Sequence, residues 1–255
     1  MTRSILILGG TADARLLAGK LSDEADYRLL LSMAGRTRDP VKQPVPVRIG
    51  GFGGAEGLAS FIRSEGFDLL VDATHPYAAR ISANAVQAAK FANVPLVTLA
   101  RAAWMPMEGD RWVNVPDVGQ AVVALGSDAK TAFLALGRKE LLPFETAPQH
   151  SYLIRSVDPV EPPLSLPYAQ YITARGPFAL RDEIAMLKDH GIKMIVSKNS
   201  GGMAAYGKIE AARALRIPVI MIDRPPCGEG DSVPDIETAL TAIRHQLSLL
   251  ENRGE

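Results

Sequence analysis

Short runs rich in leucine and β-branched residues alternate along the chain with stretches whose apolar positions recur every three or four residues. That alternation is the signature of βα units feeding a parallel sheet. Two such series are present. The first predicts strands near Ser4 to Leu8, Tyr27 to Ser32, Pro46 to Ile49, Asp68 to Asp72 and Pro95 to Leu99, with helices near Asp13 to Leu21, Ala55 to Glu65 and Tyr77 to Ala92. The second predicts strands near Ala132 to Ala135, Tyr152 to Ser156, Gln170 to Thr173, Met194 to Ser197 and Val219 to Ile222. Its helices fall near Ala179 to Lys188 and Ala205 to Leu215, and a final helix runs from about Asp235 to Leu250. Between the series, Arg101 to Pro116 shows little periodicity and holds both tryptophans, two prolines and a Gly109-Asp110 turn signal, so the domain junction is placed there. A second irregular stretch, Arg36 to Gly54, reads either as a mobile flap over a site or as a stiff surface loop.

The pattern predicts an α/β fold of two Rossmann-like domains, each with a mostly parallel sheet flanked by helices. They are expected at residues 1–100 and 112–255, joined at 101–111. A length of 255 residues suits two modest domains. With 28 basic and 28 acidic residues the chain has no excess positive charge to hold nucleic acid. No apolar run reaches the roughly 18 residues of a membrane span, and the apolar start is too short for a secretory leader, so a cytoplasmic location is expected. The single cysteine, Cys227, excludes a disulfide framework and reads as a small loop residue. Four scattered histidines offer no metal-ligand spacing, and no metal is expected. No heptad pattern appears, which leaves a monomer as the default.

In open parallel sheets ligands bind beyond the carboxyl ends of the strands, where strand order reverses. After the first strand comes Gly9-Gly10-Thr11-Ala12-Asp13-Ala14, where backbone amides and a helix N-terminus can hold a pyrophosphate. Thr11 stands where a second glycine is usual; its hydroxyl either bonds a phosphate or caps the helix. Asp13 would repel a phosphate unless turned away. After the second strand stand Ser32, Arg36 and Thr37, with no acidic residue before Asp39. An arginine there suits the extra phosphate of NADPH, although a solvated loop charge is the plainer account. After the fourth strand, Asp72-Ala73-Thr74-His75-Pro76-Tyr77 either supplies proton donors, His75 and Tyr77, or only caps the next helix.

The second series carries cations after its strands with regularity: Arg138 and Lys139 after Gly137, Arg175 before Gly176, Lys198 before Ser200 and Gly201, then Lys208. Their shared position implies a ligand with several carboxylates or phosphates, while each alone reads as solvated.

Together these motifs, with Gly50-Gly51-Phe52-Gly53-Gly54, Arg175-Gly176-Pro177-Phe178 and Ile217-Pro218-Val219, resemble the precorrin-6A reductase family of cobalamin biosynthesis, in order across nearly the whole chain. The family more often has Glu where this chain has Asp13. The resemblance implies an oxidoreductase with NADPH as hydride donor and a tetrapyrrole as acceptor, a macrocycle with many acetate and propionate arms. The reading of the positions after the strands places Gly9, Gly10, Thr11, Ala14, Ser32, Arg36, Thr37 and Thr74 on the coenzyme. It places Arg138, Lys139, Arg175, Lys198, Ser200, Gly201 and Lys208 on the substrate, which would then pass to the next enzyme of the pathway. Three alternatives stay open: a cobalt-bearing substrate, the two ligands exchanged between domains, and a nucleotide sensor without catalysis.

Overall fold

The computed structural model describes residues 2–225 and 232–251; Cys227 lies outside them. The chain divides into two compact units, residues 2–102 with 232–251 and residues 103–225.

The first unit contains β1 (Arg3–Leu8), α1 (Ala12–Ser22), β2 (Tyr27–Met33), β3 (Val47–Ile49), α2 (Ala55–Glu65), β4 (Leu69–Asp72), α3 (Ala79–Ala92) and β5 (Leu96–Leu99). Alternate residues of its central strands point to opposite faces, and both faces are covered, so the strands read as continuous apolar runs. Ile5, Ile7, Leu69 and Val71 pack beneath Leu17 and Leu21 of α1. Leu6, Leu8 and Leu70 pack against Leu58 and Ile62 of α2 and Ala85 and Ala88 of α3. Left-handed caps at Gly66 and Asn93 end α2 and α3. In the irregular stretch before α2, Arg48 donates to the carbonyls of Gly50 at 2.7 Å and Gly51 at 2.8 Å and lies 3.9 Å over the Phe52 ring. That part of the stretch is a tied-down turn.

The second unit runs β6 (Trp112–Val115), α4 (Val118–Leu125), β7 (Thr131–Ala135), β8 (Ser151–Ser156), β9 (Ala169–Thr173), α5 (Leu180–Asp189), β10 (Met194–Lys198), α6 (Gly207–Leu215) and β11 (Val219–Ile222). Its strand order is β6-β11-β10-β7-β8-β9, with every pairing parallel. Phe133, Leu153, Ile195 and Met221 meet Leu187 of α5 and Ile209 and Ala212 of α6 on one face.

The last elements, β12 (Ser232–Val233) and α7 (Ile236–Glu251), belong to the first unit. The first sheet therefore reads β12-β5-β4-β1-β2-β3, also all parallel. This differs from the expected division at residue 112. Ala239, Leu240, Ile243 and Leu247 of α7 complete the core beside α1, and an apolar helix face carries no mark of which sheet it will cover. The strand that follows β5 in sequence pairs with β11, and the strand that follows β11 pairs with β5.

Candidate functional site

In the first sheet the chain leaves β1 toward β2 on one side and returns to β4 on the other, so the reversal of strand order lies between β1 and β4. Gly9 makes the turn possible there. A Cβ on it would come within 2.6 Å of Leu31 Cδ1 and 2.9 Å of Ala14 Cβ, and Gly10 follows at φ +111 with open space above it. Gly9 N donates to Ser32 O at 2.9 Å. The Thr11 hydroxyl accepts from Ala14 N at 3.0 Å as the N-cap of α1 and donates to Ala73 O at 2.9 Å. Its proton is thus spent on the chain. The anion-binding capacity of this corner lies in the backbone amides of Ala12 and Asp13, which have no intrahelical acceptors in a first turn. Asp13 accepts from Arg101 Nη1 at 2.6 Å, so its charge is matched from the end of β5.

Beyond β4, buried Asp72 accepts at one oxygen from Thr74 N at 3.0 Å and Thr74 Oγ1 at 2.7 Å. His75 Nδ1 accepts from Tyr77 N at 3.2 Å, which leaves the neutral ring's proton on Nε2. The His75 and Tyr77 rings lie 5.7 Å apart. Both side chains are half-buried at the carboxyl end of the sheet. Ser32 is buried at the end of β2, while Arg36 is exposed and Thr37 half-buried on the loop beyond it.

The second sheet reverses between β7 and β10. An ion pair spans this point: Lys198 Nζ lies 2.6 Å from Glu140 Oε1, and the other oxygen of Glu140 accepts from Gly137 N at 2.8 Å. Arg138 lies 3.9 Å from Asp158, and Lys139 is exposed on the same turn. After β10, Ser200 N donates to Lys198 O at 2.8 Å, and Gly201 and Gly202 take left-handed angles of +66 and +72. Asn199 holds the preceding strap from both sides, accepting from Trp104 N at 2.7 Å and donating to Trp104 O at 2.9 Å. The Trp104 indole donates to Gly202 O at 2.9 Å, and Arg224 Nε donates to Asn199 O at 2.7 Å. Arg175 is exposed on the loop after β9.

Lys208 lies elsewhere. It is 4% exposed, its Nζ donates to Ala205 O at 2.7 Å, and it sits 4.8 Å over the Trp104 ring. Burial first, and the charge of Arg155 second, push its pKa down to about 7, while Glu183 pulls it up. Arg155 and Glu183 form a buried two-pronged ion pair beside it, and the guanidinium stacks 3.7 Å from the Phe178 ring. Among the described residues no cluster of His, Cys, Asp and Glu could hold a metal ion, and no helix is long and apolar enough to cross a membrane.

Residues 4–244 match the model of the family described as Precorrin-6x reductase CbiJ/CobK. The chain belongs to that family. A relative from Sinorhizobium sp named precorrin-6A reductase is 55% identical, over 96% of this chain and 94% of its own length. One from Rhodobacter capsulatus with the same name is 47% identical, over 93% and 94%. Relatives named cobalt-precorrin-6A reductase are more distant, that of Priestia megaterium at 29% identity over 95% and 98%. A solved structure titled CobK precorrin-6A reductase superposes with a TM-score of 0.92 at 45% identity, covering 96% of this chain and 97% of its own.

Within this precorrin-6x reductase family member, sequence reasoning missed Arg101, Glu140 and Arg224. Arg101 and Arg224 each follow a strand, the signal used for the other cations, but Arg101 fell in the segment taken for the junction. Glu140 carries a negative charge among cations, and only the fold sets it against Lys198.

Proposed function

We propose that this protein reduces one carbon–carbon double bond of precorrin-6A, giving precorrin-6B in cobalamin biosynthesis, with NADPH as the hydride donor. The observation that carries the reading is the contrast between the two points of strand reversal, a glycine turn with a helix N-terminus on one unit and a row of cations on the other. The higher identity to relatives named for precorrin-6A than to those named for the cobalt form favours the metal-free macrocycle.

The first unit has donors suited to a dinucleotide. Gly9, Gly10 and the amides at the start of α1 offer a positive corner, and Arg101 removes the repulsion that Asp13 would exert. Arg36 and Thr37 stand where a 2'-phosphate would be held, and Thr74, His75 and Tyr77 where a nicotinamide would end. NADPH, when bound, supplies the hydride. Arg138, Lys139, Arg175 and Lys198, joined by Arg224 and the backbone of Ser200 and Gly201, orient the macrocycle through its carboxylates. His75 through Nε2, Tyr77 through its hydroxyl, or water supplies the proton to the carbon beside the one reduced. Lys208 is not part of this assignment because its ammonium is turned into the unit. The reaction is placed in the cytoplasm, with the product handed to the next enzyme.

The test is anaerobic incubation with precorrin-6A and either NADPH or NADH, following nicotinamide absorbance and macrocycle colour together, for the wild type and Arg36→Ala. The reading expects coupled loss of both signals, and a KM for NADPH raised about tenfold by the substitution with that for NADH little changed. Equal effects on the two coenzymes would remove the coenzyme from this loop. Binding without turnover would replace the substrate with the cobalt-bearing form.

A further inference from the structure

Three of the most exposed apolar side chains of the described chain are methionines of the second unit: Met203 at 75%, Met105 at 73% and Met107 at 59%. Scattered exposed apolar side chains are ordinary, but these three border one hydrogen-bonded knot. Trp104, next to Met105, donates its indole N–H to the carbonyl of Gly202, next to Met203, at 2.9 Å. The Tyr206 hydroxyl lies 3.5 Å from the sulfur of Met107, and the Trp104 and Tyr206 ring centroids are 5.5 Å apart. Asn199 fixes Trp104 through both backbone groups, so the strap carrying Met105 and Met107 is fastened to the loop carrying Met203. Cations border the same loop. Lys198 precedes Asn199, and Arg224 grips the Asn199 carbonyl.

We propose that Met105, Met107 and Met203 form an apolar platform on the second unit for the face of the tetrapyrrole macrocycle, with the ring's carboxylates turned to Lys198 and Arg224. This rests on the reading that the second unit holds the tetrapyrrole. The chemistry is complementary: a flat conjugated ring with an anionic rim needs a polarisable apolar surface bordered by cations. Thioethers make favourable contacts with π systems and adapt their shape to irregular surfaces. Cations alone would hold the rim without selecting the face. The packed Trp104 and Tyr206 rings hold the strap and the loop together, and Gly201 and Gly202 before Met203 take the left-handed angles of a tight turn.

The test is peroxide oxidation of the intact protein, with each methionine sulfoxide measured by peptide mass spectrometry. It is run without ligand, with NADPH alone, and with uroporphyrin as a stable polycarboxylate macrocycle. Uroporphyrin should slow oxidation of all three methionines, and NADPH alone should not. Met105→Gln and Met203→Gln, both at exposed positions that leave the core intact, should each raise KM for precorrin-6A by about fivefold through lost apolar contact while KM for NADPH stays unchanged. Unprotected methionines together with a raised KM in Lys198→Met would overturn the platform and keep the macrocycle on this unit. Unprotected methionines with an unchanged KM in Lys198→Met would overturn both readings. Protection by NADPH alone would give the surface to the coenzyme.

Discussion

The two units share one arrangement, a parallel sheet whose strand order reverses beside its first central strand, yet they close that point with different chemistry. In the first unit the link from α1 to the end of β4 is neutral, one threonine hydroxyl that caps α1 and reaches the carbonyl after β4, and the charge of Asp13 beside it is already matched by Arg101. In the second it is charged, with Lys198 facing Glu140. The interiors follow suit. The first core joins α1 and α7 through apolar side chains, whereas the second keeps Arg155, Glu183 and Lys208 among its aromatics. A neutral link does not answer to the charge of a ligand. An ion pair does: under the proposed function, a carboxylate of the substrate would compete with Glu140 for the Lys198 ammonium.

The comparison is tested hardest at Lys198. Lys198→Met should raise KM for precorrin-6A by roughly 10- to 100-fold, the range of a charge-assisted contact, with KM for NADPH unmoved. Steady-state kinetics with each ligand varied separately decides it, and a shift in both would mean that the ion pair supports the fold instead. Lys208 bears on stability. Its folded pKa lies below its unfolded value of 10.5, so the folded state sheds a proton first and stability from this group rises with pH from about 7 to 10.5. Lys208→Met should therefore raise the Tm of the second unit by roughly 4–8 °C at pH 6 and by little near pH 10, as read by differential scanning calorimetry. A gain independent of pH would assign the effect to packing alone.

Thr11→Val removes a cap worth about 1 kcal/mol and should lower the Tm of the first unit by roughly 2–4 °C. Because the hydroxyl proton goes to Ala73, coenzyme affinity measured by fluorescence titration should change by less than about threefold. A larger loss would show the hydroxyl meeting a phosphate. The smallest effect is expected from Glu140→Gln, which keeps an acceptor for Gly137 and discharges the partner of Lys198. KM for precorrin-6A should fall by about twofold to fivefold, the worth of a partly exposed ion pair. A rise would make Glu140 a support of the loop and not a competitor.

Much of this was legible in the sequence where the signal is local. The strands and helices around Ile5, Leu70, Ile195 and Ile220 follow from apolar periodicity, and the glycine turn at Gly9 from its place between a strand and a helix. What escaped depends on partners far along the chain. Trp112–Val115 is a short edge strand with exposed positions, so it shows no apolar run, and only pairing with β11 makes it a strand. Lys208 follows a glycine loop like the other cations, but it falls in the first turn of α6 on the side that faces Trp104. Helical phase relative to a neighbour is set by packing, which composition does not reveal. The guard of Asp13 by Arg101 spans 88 positions and was hidden for the same reason.

The exchange of edge strands orders events at the ribosome. Domains ordinarily fold as units during synthesis, the N-terminal one first. Here the second unit is one unbroken stretch of chain, whereas the first waits for β12 and α7. Until they emerge, the outer edge of β5 is an unpaired template and the groove over α1 is bare, surfaces that invite pairing with other chains. The chain of the second unit is therefore complete before that of the first, and β12 and α7 can seal the first sheet only after it.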